Sequence, residues 1–311
     1  MRKLEFFLKP TQKELFDLFS RKYQNKAIIH EGAYILIPGK APIMLLAHLD
    51  TVHEMPVRHI CKSSDENILM SPQGIGGDDR CGVYAIVKAH ELSLVKPWLL
   101  FTCDEEIGGV GADVFATNHS KGELPKGLDK LKLLIEIDRK GSKDAVYYDC
   151  DNPEFEAYIT RKGFVTATGS FSDISIIAPE LGVAAVNLSS GYYNAHTLHE
   201  YINRKQLENV IQAVIGVVAD AAKPDFPKYK YVERTRKFSK SYSSRFYDWQ
   251  TSNNVPSDLP DDLVRIYSDL LDVYSKAELE LNRKEYGSWI LVRMYEEEFG
   301  SILETDKIWE E

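Results

Sequence analysis

Five short clusters in the 311-residue chain carry side chains that can hold metal ions or move protons. They are His48-Leu-Asp50, Gly76-Gly-Asp78-Asp-Arg-Cys-Gly82, Asp104-Glu105-Glu106-Ile-Gly108, Glu136-Ile-Asp138 and His196-Thr-Leu-His199-Glu200. Imidazole and carboxylate without thiolate suit zinc, with cobalt or manganese also accommodated. Each cluster alone has an ordinary explanation. A His-x-Asp after a strand is often a hydrogen-bonded pair, and adjacent glutamates are often a solvated face. Asp138 before Arg139 and Lys140 fits a surface ion pair. Asp78-Asp79 after two glycines fits a helix N-cap. Their joint placement along the chain is what points to one metal site.

The elements that position them can be read from periodicity. Ile43–Ala47, Trp98–Phe101, Leu133–Ile137 and Val183–Leu188 are short apolar runs of the kind that form buried parallel strands. Three of the clusters end the first three runs, and the His196 cluster follows the fourth. Asp78 opens a helical pattern to Leu92, with Val83, Ile86 and Ala89 on one face. Arg204–Ala222 repeats the pattern through Leu207, Ile211, Val214 and Val218. Thr11-Gln-Lys-Glu14 reads as a capping box before Leu15, Leu18 and Phe19. Strands alternating with helices predict an α/β fold, a mostly parallel twisted sheet with helices on both faces. Such sheets bind ligands outside the carboxyl ends of their strands.

Composition sets the outer limits. At ~150 residues per domain, the length allows one large domain or two smaller ones. The hydrophobic fraction of 44% and charged fraction of 27% are those of a globular protein. A net charge of −9 argues against nucleic acid as the main partner. No apolar run reaches the ~18–20 residues of a membrane span, and the start lacks a signal-peptide pattern. The expected location is therefore the cytoplasm, with Cys61, Cys81, Cys103 and Cys150 as free, mostly buried thiols.

The composition shifts near Lys223. Residues 223–246 hold eight basic and two acidic side chains, and residues 257–311 fifteen acidic and six basic. This predicts a main domain over 1–222 and a mainly helical C-terminal appendage over 223–311. Within the appendage, Thr251–Pro260 reads as a linker, and Asp261–Lys284 and Ser288–Leu303 as helices. The basic stretch Lys228–Arg245 interleaves with Tyr229, Tyr231, Phe238 and Tyr242. That is the pattern of a nucleic-acid face or of a solvated amphipathic tail, and the acidic whole favours the tail.

Over roughly residues 30–222 the motifs resemble the co-catalytic two-zinc exopeptidases, especially the peptidase T-like family and its carboxypeptidase and deacylase relatives. The family order is His-x-Asp, Gly-x-Asp-Asp-Lys/Arg-x-Gly, Asp-Glu-Glu-x-Gly, an acid after a strand, and a late His-x-x-x-Glu. The resemblance implies that His48 and Asp138 hold one ion, that Glu106 and His196 hold the other, and that Asp78 bridges them. Asp50 would orient His48, and Glu105 would be the general base acting on a hydroxide shared by two zinc ions. Two divalent ions would balance Asp78, Glu106, Asp138 and one hydroxide in charge. The family spacing selects His196 over His199, which would brace a ligand from behind, face the substrate or lie on the surface. The implied activity is hydrolysis of a terminal amide bond. An aminopeptidase on short peptides is the first expectation, with a deacylase or carboxypeptidase on N-acyl amino acids, or a non-catalytic binding protein, as alternatives.

One departure from the family is plain. Only 57 residues separate Asp138 from His196, too few for the lid domain that peptidase T-like enzymes insert there. Tyr192 and Tyr193 are candidates for the lid's oxyanion-stabilising role, or are simply packed. The appendage is expected either to cover the cleft or to build a homo-oligomer.

Overall fold

The computed structural model describes residues 3–53, 55–169 and 171–234, with part of 256–299. The chain forms two compact units, Met1–Arg234 and Thr235–Glu311. Residues 223–234, which composition grouped with the C-terminal part, are laid down on the first unit. Tyr229 donates its N–H to the carbonyl of Lys132 at 2.8 Å, and Arg234 to that of Asp149 at 2.7 Å. Phe155, Tyr158, Phe226 and Tyr229 pack there as an aromatic cluster.

An eight-stranded sheet organises the first unit. Its centre is four parallel strands in the order β6 (Trp98–Thr102), β3 (Ile43–His48), β7 (Leu133–Arg139) and β10 (Ala185–Ser189). They correspond to the four apolar runs. Beside β6 lie β2 (Tyr34–Ile37) and β1 (Ile28–His30), and beside β10 lie β8 (Asp144–Val146) and β9 (Val165–Ala167). β2 runs antiparallel to β6, and β8 antiparallel to β10.

Side chains alternate across this sheet with the period of two that a strand imposes. Ile43, Leu45, Ala47, Leu99 and Phe101 join one buried cluster, with α2 (Gln12–Tyr23), α3 (Gly77–Leu92), α5 (Pro153–Thr160) and α7 (Arg204–Ala221). Met44, Leu46, Leu100 and Leu134 join the other, with α4 (Val110–Ser120) and α6 (Asp173–Leu181). Burial on both faces explains the unbroken apolar strands. The capping box of Thr11 and Glu14 forms as expected at the start of α2, after the short α1 (Leu4–Leu8). A second sheet of four short strands runs β11 (Tyr192–Tyr193), β12 (Tyr201–Asn203), β5 (Ile68–Met70) and β4 (Cys61–Lys62).

All four cysteines are free, and Cys61 alone is exposed. No helix among the described residues is long and apolar enough to cross a membrane. In the second unit, α8 (Lys276–Tyr286) overlaps the end of the predicted span Asp261–Lys284 and runs two residues past it, and α9 (Ile290–Phe299) lies within Ser288–Leu303. Leu259, Tyr267, Leu270, Leu279, Leu291 and Met294 form its buried cluster. The expected linker Thr251–Pro260 and the basic residues 235–245 lie almost wholly outside the described residues.

Candidate metal centre

The carboxyl ends of β3, β6 and β7 bring the clusters together. His48 closes β3, Asp138 lies at the end of β7, and the loop after β6 supplies Glu105 and Glu106. Asp78 stands at the start of α3, where Asp78 and Asp79 depart from helical geometry and share a cis peptide bond. His196 reaches in from the loop between β11 and β12, with φ of 63°.

Asp78 is the centre of the arrangement. Its Oδ1 lies 3.3 Å from His48 Nε2, and its Oδ2 lies 3.1 Å from His196 Nε2. Asp138 Oδ1 is 3.3 Å from His48 Nε2, and Glu106 Oε1 is 3.2 Å from His196 Nε2. Two triplets result, His48–Asp78–Asp138 and Asp78–Glu106–His196, each with its ligand atoms within 4.8 Å of one another. They share one residue, which offers a different oxygen to each. Glu105 joins His48 and Glu106 in a third such group.

The donor chemistry fits divalent cations. Glu106 Oε1 accepts no hydrogen bond although His196 is close, and Asp79 Oδ2, Glu136 Oε1 and Asp173 Oδ1 are also buried without a partner. Buried carboxylates are costly unless a cation compensates them. The acidities of these groups reflect the same shortage of positive charge. Burial, together with the charge of Asp78, pushes Asp138 well above the usual carboxylate range. Burial also pushes Glu105 up to about 9, reinforced by Asp138 and Asp173 and opposed by His48. Burial disfavours charge on His48, but Asp50 and Asp138 outweigh it and raise the imidazole. The hydrogen bond to Asp78 and the neighbouring Glu106 carboxylate raise His196 to about 10.

Neighbouring groups fix the geometry. Asp50 Oδ1 pairs with His48 Nδ1 at 3.1 Å, leaving Nε2 directed at Asp78 and Asp138. The same carboxylate accepts the N–H groups of Glu105 and Glu106 at 3.1 and 3.0 Å, tying β3 to the next loop. Asn187 Oδ1 accepts the N–H of Asp138 at 2.9 Å, and its amide donates to Ser172 and Tyr148. Ser172 in turn donates to Glu136.

Glu200 is fully buried and accepts the N–H groups of Gly76 and Asp78, both at 3.0 Å, while His53 Nε2 lies 2.9 Å away. No spacing rule links residues 53 and 200. His199 stays exposed, away from the triplets. The hydroxyls of Tyr192 and Tyr193 are committed to the carbonyl of Asp138 and to Gln206, at 2.9 and 2.7 Å. Tyr193 also stacks on Tyr201 with centroids 5.0 Å apart. Both tyrosines are packed, the alternative to the oxyanion role.

A cavity of about 560 Å³ opens beside the triplets, lined among others by Asp50, Glu106, Arg80, Gln12 and Ile107. Gln12 forms one wall: its amide donates to Asp104 Oδ1 at 2.7 Å and its Oε1 accepts the N–H of Asp104 at 3.1 Å.

The fold is that of the zinc exopeptidases, in agreement with the resemblance read from the motifs. The tripeptidase of Staphylococcus aureus subsp. aureus Mu50 superposes with a TM-score of 0.53 at 15% identity, over 70% of this chain and 96% of that one. The aminopeptidase PepT of Bacillus cereus gives 0.52 at 14%, over 71% and 97%. An aminopeptidase of the archaeon Desulfurococcus kamchatkensis gives 0.51 at 16%, over 69% and 93%. Neither a family model nor a curated protein matches the sequence.

Proposed function

We propose that the protein is a metal-dependent exopeptidase, an aminopeptidase acting on short peptides. The observation that carries this reading is Asp78, whose two oxygens face two different histidines. His48 and Asp138 would hold one divalent ion, Glu106 and His196 a second, and Asp78 both. Zinc suits this donor set, and cobalt or manganese could replace it. Bound there, such ions polarise a carbonyl and lower the pKa of water.

The chain's own groups do the rest. Asp50 holds the His48 ring so that Nε2 faces inward. Glu105, buried with its carboxyl beside His48 and Glu106, carries the proton. With divalent cations beside it to favour its charged form, it would take one from the attacking water as the carbon–oxygen bond forms. It returns that proton to the amine nitrogen as the carbon–nitrogen bond breaks. A carboxypeptidase or a deacylase of N-acyl amino acids would break the same bond.

The test is elemental analysis of protein purified without chelator, paired with a mixed peptide library read by mass spectrometry. The expected result is about two zinc ions per chain and loss of single residues from the amino end. Loss from the carboxyl end, or cleavage of acylated amino acids alone, selects the sister activities. Metal without any cleavage favours a binding protein. No metal, even after zinc is restored, overturns the reading.

A further inference from the structure

Arg80 has no role in the chemistry above, and its surroundings are unusual. The residue is 3% exposed, and among the described residues it forms no ion pair; its Nε and Nη1 are buried without a hydrogen-bond partner. A buried guanidinium without a partner is among the costlier arrangements a fold can hold. The carboxylates of Asp50, Asp79 and Glu14 lie near enough to favour its charge, yet among the described residues none of them forms an ion pair or hydrogen bond with it. Asp50 serves His48 and two backbone amides, Asp79 accepts from Gly82, and Glu14 closes the capping box with Thr11.

Arg80 lines the cavity that Glu106 and Asp50 also line. At about 560 Å³, that cavity lies within the ~300–1,000 Å³ of small-ligand pockets. The Thr11–Gln12 end of α2 lines it too, and a helix carries its partial positive charge at that end. Five donors in a planar fork match a carboxylate better than any other group that fits a peptide.

We propose that Arg80 anchors a carboxylate-binding subsite next to the candidate metal centre, which receives the carboxylate of a short peptide substrate. The proposal rests on the exopeptidase reading for the substrate's class, and on Arg80 and its cavity for the subsite. The carboxylate is the terminal one of a short peptide or that of an acidic side chain.

The experiment measures binding by calorimetry on the full-length chain as purified, carrying Glu105→Gln to keep the probes intact. The probes are tri-alanine, its C-terminal amide, and the amide of Ala-Glu-Ala. Tri-alanine is expected to bind about tenfold or more tighter than its amide. Adding Arg80→Gln should bring the two within about twofold. Arg80→Lys keeps the charge but not the fork, and should fall between.

If the Ala-Glu-Ala amide binds like tri-alanine, the side-chain carboxylate is accepted; if it binds like the amide, the terminal one is required. Either supports the subsite. Removing an unpaired buried charge should leave the melting temperature unchanged or raise it, so lost discrimination in a folded variant reports recognition. Equal binding of acid and amide by the parent, retained discrimination in Arg80→Gln, or no binding of any probe at about 10 mM overturns the proposal. Failure of the exopeptidase reading looks different: the wild-type chain, supplied with zinc, cleaves none of the probes while the acid-over-amide preference persists.

Discussion

Replacing Asp50 with alanine removes one carboxylate and strands three donors. His48 Nδ1 and the N–H of Glu105 both lie 3.1 Å from Oδ1, and the N–H of Glu106 lies 3.0 Å from Oδ2. An unpaired buried donor costs about 1–3 kcal/mol. Asp50 lines the cavity, so water reaches the gap and the lower figure applies, giving about 3 kcal/mol in all.

The acidity of Asp50 reflects the same three contacts. Burial alone would raise the carboxyl, but His48 and the two amides bring it down from 3.8 to about 2. That drop is worth roughly 2 kcal/mol. The folded value is the lower one, so this stability is fully present above the unfolded pKa and is lost as pH falls through about 2. At ~2–4 °C per kcal/mol for a unit of this size, Asp50→Ala should melt about 5–12 °C below wild type. With His48 free to turn, zinc affinity should fall about 10- to 100-fold. Circular dichroism melts and competition against a zinc-binding dye measure the two effects. A variant that melts within about 2 °C of wild type and binds zinc equally well would refute the assignment of Asp50 as the tie between β3 and the Glu105 loop.

Glu105→Gln should lower peptide turnover by about 10²- to 10⁴-fold while elemental analysis shows unchanged metal content. Gly82→Ala should destabilise the unit strongly, because a Cβ there would lie 2.0 Å from the carbonyl oxygen of Ile137 and 2.4 Å from the Asp79 carboxylate; urea titration against wild type measures it. His90 is held down at about 4 by burial and by Lys96 and Lys22. Its folded form therefore takes up its proton later than the unfolded chain does. Stability should decline as pH drops from about 6.5 to 4, by at most about 3 kcal/mol, and His90→Gln should flatten that decline in pH-dependent melts.

The central strands were readable because each is buried on both faces, which leaves unbroken runs such as Ile43–Ala47 in the sequence. The candidate centre was readable because its residues sit where those runs stop. What escaped has a different physical origin. β1, β8 and β9 are three residues each, too short for a periodicity, and they owe their conformation to the strand beside them. The Glu200–His53 pair spans 147 positions, and only the folded loop geometry brings it together. In sequence Arg80 is only the Lys/Arg position of the Gly-x-Asp-Asp-Lys/Arg-x-Gly motif; its burial appears only in the folded chain. The boundary near residue 222 followed charge, whereas the chain kept Phe226 and Tyr229 on the first unit because their rings complete the aromatic cluster with Phe155 and Tyr158.

The two histidines of the proposed centre differ in their access to solvent. The side chain of His48 is 0% exposed, and that of His196 is 51% exposed. An ion between His48 and Asp138 would lie among buried side chains. An ion between Glu106 and His196 is released by movement of one surface loop. Exchange of the two proposed ions should therefore be biphasic. A weak chelator would strip one equivalent quickly and the other on the timescale of local unfolding. A preparation dialysed briefly would then hold one ion per chain, structurally intact and waiting for its second.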